Sequence, residues 1–283
     1  MLFGNKNNLS LILVLLIIVL ATLGLSRNSS LPRQLWQNFF RFMVGQETKL
    51  STAQLNELKT EHYTVKFSER DSDYVHLVAD TAETAYDLVS REMNWQTGQK
   101  TTIIIYPDSQ SLAKSFGWDK DDKAMGVYWG GTIRILSPRE WLKQPYDQEE
   151  FLKNGPMVHE FVHLMVDEKT RGNYNRWWTE GVAQYVEKKL TGFEFKTSAA
   201  GQPDSMYTLE ELAKNFDRLN QQAAYWESLK AVEYIAEKYG EESIYVIMDY
   251  LGKGYTMEKA CEMATGTDFK NFAYQCYQYM EKQ

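Results

Sequence analysis

Histidine and cysteine are both scarce in this chain of 283 residues, which has four histidines and two cysteines. Two cysteines are too few for a disulfide framework, so a hydrophobic core must hold the fold together. The length suits one large domain or two subdomains, and the 43% share of hydrophobic residues is enough for a sizeable core. Cys276 is in phase with Phe269, Phe272 and Ala273 on a predicted last helix. This phase favours buried thiols, and a single bridge between Cys261 and Cys276 is the alternative.

The chain is also short of basic residues, with 31 lysines and arginines against 38 acidic residues and a net charge of −7. The charge is unevenly distributed, because residues 1–46 contain four basic side chains and no acidic one. The remainder has 27 basic and 38 acidic residues, a net charge of −11. Such an acidic domain repels phosphate backbones, which argues against nucleic acid as a partner. The asymmetry is typical of an acidic domain joined to a basic, membrane-proximal segment.

Charged residues are absent from Leu9 to Leu25, a run that is almost wholly aliphatic. At ~1.5 Å per residue this run approaches the ~30 Å hydrocarbon thickness of a bilayer. The favoured interpretation is an N-terminal transmembrane signal-anchor over residues 1–27. It predicts a single-pass membrane protein with its main domain outside the cytoplasm. A signal peptide that is cleaved after Ser26 is the alternative.

Residues 28–59 are predicted to form a juxtamembrane amphipathic stalk. In its first part, apolar and aromatic side chains alternate with basic ones, which predicts a helix lying at the membrane interface. The residues concerned are Leu31, Leu35, Trp36, Phe39, Phe40, Phe42 and Met43, with Arg33 and Arg41 between them. Residues 46–59 predict a polar stalk with a short helix.

Two of the four histidines, His159 and His163, stand four residues apart in the sequence His-Glu-Phe-Val-His. On a helix they lie one turn apart on the same face, with Glu160 beside them. This is the spacing of zinc sites in which the carboxylate acts as general base. The surrounding residues are apolar and predict a buried helix, in which unpartnered polar groups cost several kcal/mol. A bound divalent cation would remove that cost.

A third metal ligand must come from elsewhere, because no histidine follows His163. Asp167 and Glu168 lie about two turns from His159 at ~1.5 Å per residue, too far to share a metal with both histidines. Glu180, on a second predicted helix after a turn-rich loop, is the best remaining candidate.

The residues after Glu180 are small or polar. Gly181 and Ala183 predict that this second helix approaches the first one closely. Gln184 lies on the same helix face as Glu180, where it would either orient a metal ligand or form hydrogen bonds within the helix.

The pattern HExxH followed by a later glutamate resembles that of the gluzincins. Residues 178–185, Trp-Thr-Glu-Gly-Val-Ala-Gln-Tyr, resemble the W-x-E-G-x-A-x-Y signature of the peptidase MA-like zinc metallopeptidases. The resemblance extends from about residue 155 to residue 275. It implies that His159, His163 and Glu180 hold one Zn²⁺ ion and that Glu160 activates a water molecule. It also implies a peptide or protein as substrate.

The mechanism that follows from this resemblance is metal-assisted hydrolysis of peptide bonds. Three protein ligands leave a fourth position for water, whose pKa the zinc lowers. Glu160 would take the proton of this water and pass it to the leaving amine. Tyr225 is the candidate donor to the oxyanion. Two alternatives stay open: polar residues satisfied within a core that holds no metal, and an inactive zincin-fold binding module of the cell envelope.

The expected fold class is α+β and zincin-like, over a domain of residues 60–283. A small mixed sheet forms its N-terminal half, the zinc-binding helices lie at the junction, and the C-terminal half is all-helical. The predicted strands are 62–67, 101–106 and the hairpin 126–136 with a Gly-Gly turn. In gluzincins an edge strand pairs with the substrate backbone, and by this resemblance one strand of the hairpin is the candidate. An ordinary β-ribbon is the alternative. The predicted helices include 73–93, 109–116, 208–217, 222–238, 242–251, 256–264 and 268–281, with a capping box of Thr208 and Glu211.

Overall fold

The computed structural model of the protein describes residues 31–118, 124–143, 147–194 and 206–282. The predicted membrane segment, Leu9 to Leu25, lies outside the described residues. Within the described ranges, no helix combines the length and the apolar character needed to cross a bilayer.

Within these residues, five strands form one mixed sheet in the order β1-β2-β3-β5-β4. β2, β3 and β5 run parallel to one another, whereas β1 pairs antiparallel with β2 and β4 pairs antiparallel with β5. The two antiparallel strands therefore lie at the edges of the sheet. The strands are β1 (Asn56–Lys59), β2 (Tyr63–Phe67), β3 (Thr101–Tyr106), β4 (Gly126–Trp129) and β5 (Thr132–Leu136).

Helices cover the sheet and make up the C-terminal half of the chain. In the described part they are α1 (Leu31–Ser51), α2 (Val75–Glu92), α3 (Ser109–Phe116), α4 (Gln148–Asn154), α5 (Met157–Thr170), α6 (Arg176–Thr191), α7 (Leu209–Asn215), α8 (Gln221–Tyr239), α9 (Glu242–Gly252), α10 (Met257–Thr265) and α11 (Phe269–Met280). The predicted α+β architecture, with a small mixed sheet followed by a helical half, is confirmed.

The centre of the sheet is apolar because helices pack on it from both faces. β3 contains three consecutive isoleucines, and all five residues of β5 are buried. Consecutive residues of a strand point to opposite faces of the sheet, so these unbroken runs of buried residues show that the centre of the sheet is covered on both faces. α2 packs on β2, and α3 packs on β3 and β5.

The helix α5 lies at the junction between the sheet and the C-terminal helices. It packs against α2, α6, α9 and β4, so twelve of its fourteen residues are buried. α6 packs against both α5 and α8. The two helices that carry the candidate metal ligands are therefore neighbours in the interior.

The hairpin and the capping box are confirmed as the sequence predicts them. Gly130 and Gly131 join β4 to β5 with φ of 52° and 90°, a left-handed backbone that glycine adopts without strain. The Thr208 side chain accepts the backbone N–H of Glu211, and the Glu211 side chain accepts that of Thr208. Cys261 and Cys276 are both buried as free thiols, which confirms the favoured interpretation.

The strand β1 is not predicted from the sequence. Its residues, Asn-Glu-Leu-Lys, are mostly exposed and lack the apolar alternation of a half-buried strand. Residues 46–59 therefore consist of the end of α1, a turn and a strand paired with β2. The sheet starts four residues before the predicted domain boundary at residue 60.

A buried carboxylate, Glu227 on α8, stands apart from the candidate metal ligands. It is 1% exposed, and its two oxygens accept the backbone N–H of Tyr207 at 3.2 and 3.1 Å. Burial raises the pKa of Glu227 to about 7, although the Tyr207 hydrogen bond acts in the opposite direction. As the pH rises, the folded protein therefore retains the proton of the Glu227 carboxyl at pH values at which the unfolded chain has already released it.

We expect Glu227→Gln to stabilise the protein at pH 8 but not at pH 5. With the folded pKa above the unfolded value, stability declines as the pH rises through the interval up to about 7, and Gln removes this dependence. The gain in unfolding free energy at pH 8 should be on the order of 2 kcal/mol. Urea unfolding at both pH values measures it, and an equal change at pH 5 and pH 8 would contradict this origin.

Candidate metal centre

The three side chains proposed as metal ligands converge in the interior. His159 and His163 are each 8% exposed, and Glu180 is 6% exposed. Glu180 Oε2 lies 3.5 Å from His159 Nε2 and 3.4 Å from His163 Nε2. One donor atom from each residue lies within 4.8 Å of the other two. The structure thus brings together two residues of α5 and one of α6.

These donors fit a divalent cation. Glu180 Oε2 is buried and has no hydrogen-bond partner among the described residues, although it faces both imidazoles. A buried carboxylate oxygen without a partner is costly, and a cation between it and the rings would compensate it. Two imidazole nitrogens and one carboxylate oxygen are a donor set that zinc prefers.

A second layer of side chains orients the two imidazole rings. His159 Nδ1 lies 3.0 Å from Glu187 Oε2, and His163 Nδ1 lies 2.6 Å from Thr179 Oγ1. Both contacts use Nδ1, so both Nε2 atoms are directed at Glu180. Such partners fix the orientation of metal-binding histidines.

Neither partner is predicted from the sequence, yet each carries a signal. Glu187 follows Glu180 by seven residues, two helical turns along the same face of α6. Thr179 directly precedes Glu180. These spacings on the second helix are the signal that predicts them.

The buried charges shift each other's pKa. Burial alone would lower the pKa of His159, but the carboxylates of Glu187 and Glu180 raise it well above its usual value. Burial alone would raise the pKa of Glu180, but His163 and His159 hold it well below its usual range. The opposite directions of the two shifts show that the carboxylates and the imidazoles favour each other's charged forms.

Glu160 lies beside the cluster, under the edge strand β4. Its Oε2 accepts the backbone N–H of Tyr128 at 2.6 Å. A Cβ atom added to Gly126 would lie 2.9 Å from Glu160 Cγ, so the strand passes directly over this side chain. Burial raises the pKa of Glu160, and the neighbouring imidazoles partly offset the rise. The predicted hairpin thus contacts the predicted general base.

Tyr225 and Arg176 border the other side of the cluster. Tyr225 Oη donates to Glu180 Oε1 at 3.2 Å, and Arg176 Nε lies 3.4 Å from the same oxygen. Gln184 donates to the backbone oxygens of Glu180 and Tyr225, at 3.2 and 2.9 Å. Gln184 therefore joins α6 to α8 next to the site, and it holds the segment that carries Tyr225.

Gly181 has a different neighbour from the one predicted. A Cβ atom at this position would lie 2.3 Å from the backbone oxygen of Ser228 and 2.8 Å from Val232 Cγ2, both on α8. The small residue therefore allows close packing of α6 on α8 rather than on the helix that carries the histidines.

Comparison with known proteins bears on the same segment of the chain. The sequence profile of the peptidase MA superfamily matches residues 89–281, a range that includes α5, α6 and α8. No curated protein matches the sequence. Among solved structures, the chain is similar to an M1 zinc metallopeptidase E323A mutant from Deinococcus radiodurans, with a TM-score of 0.40 and 10% identity. The similarity covers 78% of this chain and 50% of that one, so the chain spans about half the length of this relative. Since the family profile matches more than half of its residues, the chain belongs to the peptidase MA superfamily.

Proposed function

We propose that this protein is a zinc-dependent peptidase in which His159, His163 and Glu180 hold one Zn²⁺ ion. The observation that carries the proposal is the convergence of two imidazole nitrogens and one buried carboxylate oxygen, which has no hydrogen-bond partner among the described residues. When bound there, zinc supplies a Lewis acid and lowers the pKa of a coordinated water molecule.

Glu160 is the proposed general base. Its carboxylate is held in place by the Tyr128 amide, and burial raises its pKa above the usual value. It would accept a proton from water and deliver it to the leaving amine. Tyr225 is the proposed oxyanion donor, since its hydroxyl already lies at the rim of the ligand cluster.

The substrate is proposed to be a peptide or protein that binds along β4. This strand is the last in the sheet order, and the N–H of Tyr128 points from it towards Glu160. An extended peptide can add to such an edge through backbone hydrogen bonds. We further propose that residues 9–25 anchor the enzyme in a membrane, with the described domain outside the cytoplasm.

The proposal is tested by measuring metal and turnover on the same sample. The full chain in detergent should contain one zinc ion per molecule and cleave members of a peptide library. Removal of the metal with a chelator should abolish cleavage, and one equivalent of zinc should restore it. A protein without zinc, or a zinc-loaded protein that cleaves no peptide, would overturn the proposal, and the second result would favour a binding module.

We expect Gly126→Ala to lower kcat/KM by about 100-fold without loss of zinc. The new Cβ atom would lie 2.5 Å from Pro156 Cβ and 3.0 Å from Glu160 Oε1, so either the strand or the base must move. A displacement of about 1 Å in a reacting group can cost that much in rate. The matched control is Gly98→Ala, whose Cβ atom would meet nothing within 4 Å. Equal loss of activity in both variants would exclude this explanation.

A further inference from the structure

The helix α1 docks on the domain through several polar side chains and through Val44, which is 6% exposed and lies against Gly130. Gln37 Nε2 donates to Asp167 Oδ1 at 2.8 Å, and Arg41 pairs with Glu168 at 2.8 Å. Both acceptors lie at the C-terminal end of α5, the helix that carries His159 and His163. Further along α1, Glu47 pairs with the buried Arg134 of β5 at 2.6 Å. These contacts fix α1 relative to the candidate metal centre.

The opposite face of α1 is apolar and exposed. Leu35, Trp36, Phe39, Phe42, Met43 and Leu50, which we term the outward face, are between 45% and 81% exposed. At roughly 100° per residue they lie within an arc of about 120° on the helix circumference. Ordinary surface helices turn their apolar side towards the core, whereas α1 turns it away.

This apolar surface continues to the edge of the cleft. Phe40, at the border of the outward face, packs edge-to-face on Trp129 with ring centroids 5.3 Å apart. Trp129 ends β4 and is 43% exposed, and Phe116 links it to Trp118, which is 41% exposed. The exposed aromatic residues thus reach the strand that lies over Glu160.

The occupant that best fits this surface is a lipid bilayer. The aliphatic run that ends at Leu25 is joined to α1 by five residues, which span at most about 20 Å. Helix α1 is therefore close to any membrane that this run enters. Tryptophan is enriched at membrane interfaces, and residues 1–46 contain basic but no acidic side chains, which suits anionic lipid.

We propose that the outward face of α1, extended by Trp129 and Trp118, lies in the interfacial layer of the bilayer and holds the cleft at the membrane surface. The substrates would then be segments of membrane-bound proteins close to the lipid. This substrate class rests on the proposed peptidase function, whereas the docking of α1 on lipid does not.

The docking is tested with the full chain in vesicles of phosphatidylcholine and phosphatidylglycerol. A fluorophore attached to Met43→Cys should be quenched by nitroxide-labelled lipid, and one attached to Tyr274→Cys on α11 should not. Tyr274 is 60% exposed and serves as the matched position, and the two native cysteines are buried. An unquenched label at position 43 would overturn the docking, and energy transfer between labelled chains would identify a second copy as the occupant instead.

The substrate class is tested by a ratio of rates. Turnover of a lipid-tethered peptide relative to the same soluble peptide should fall about tenfold when Phe39, Phe42 and Met43 are replaced by serine. A control with serine at Val246, Met263 and Tyr274, also exposed apolar positions, should keep the wild-type ratio. An unchanged ratio in the first variant would overturn the substrate class. Absence of any turnover would instead refute the peptidase, with the quenching result unaffected.

Discussion

Replacement of Glu160 by glutamine should lower peptide turnover by about 10³- to 10⁴-fold and leave zinc bound. Glutamine has the shape of glutamate, and its side-chain oxygen can still accept the Tyr128 N–H that Glu160 accepts at 2.6 Å. It cannot take a proton from water at neutral pH, so only the base function is removed. The measurement is kcat with saturating peptide, together with the metal content of the same preparation.

Two observations keep this result interpretable. Glu237→Gln, a change of an exposed carboxylate on α8, controls for the effect of charge removal and should retain full activity. Zinc content distinguishes loss of the base from loss of the metal centre, because Glu160 is not among the three converging donors. If the Glu160 variant kept a tenth or more of the wild-type turnover, another group would have to serve as base.

The convergence of the three proposed ligands could be predicted from sequence because most of its geometry is local. His159 and His163 are placed by the pitch of one helix, and the histidine count excludes a third imidazole after them. Only the position of Glu180 depends on how two helices pack against each other. The W-x-E-G-x-A-x-Y signature around Glu180 indicates that packing. The role of Gly181 shows the limit of the same reasoning: small residues indicate close packing, but the sequence does not say against which neighbour.

The surroundings of the site depend on contacts between residues far apart in the chain. Tyr128 reaches the site through strand pairing: its N–H meets Glu160, and its hydroxyl donates to Asp167 Oδ2 at 2.6 Å. Neither contact has a periodic signal in the sequence. β1 is missed for a related reason, since an edge strand with exposed polar residues lacks the apolar alternation by which strands are predicted.

For helix α1, the amphipathic pattern of the sequence determines the helix but not what its apolar face contacts. Its apolar periodicity predicts a helix, and the structure has one from Leu31 to Ser51. Periodicity does not state whether the apolar face meets protein or lipid. The structure shows the polar face on the protein, through Gln37 and Arg41, because Asp167 and Glu168 present carboxylates at the end of α5. The inverted orientation is the reason that a membrane, rather than the core, is proposed to cover the apolar side.

Replacement of Glu180 by alanine should weaken zinc binding by more than about 100-fold, beyond the 10- to 100-fold range typical of an outer-shell partner. The variant removes a carboxylate oxygen that lies within 3.5 Å of both imidazole Nε2 atoms. Two ligands on one helix would remain, and they cannot complete a three-ligand site. The affinity is measured by competition with a chromogenic chelator, and peptide turnover should be lost with the metal.

The loss of zinc affinity in Glu180→Ala is compared with the smaller loss expected for Glu187→Gln. This residue contacts His159 Nδ1 at 3.0 Å and does not belong to the converging donors, so its loss should cost 10- to 100-fold in zinc affinity, the range typical of outer-shell partners. A smaller effect at position 180 than at position 187 would reverse the assignment of ligand and supporting residue. Normal zinc retention by Glu180→Ala would show that the third ligand lies elsewhere.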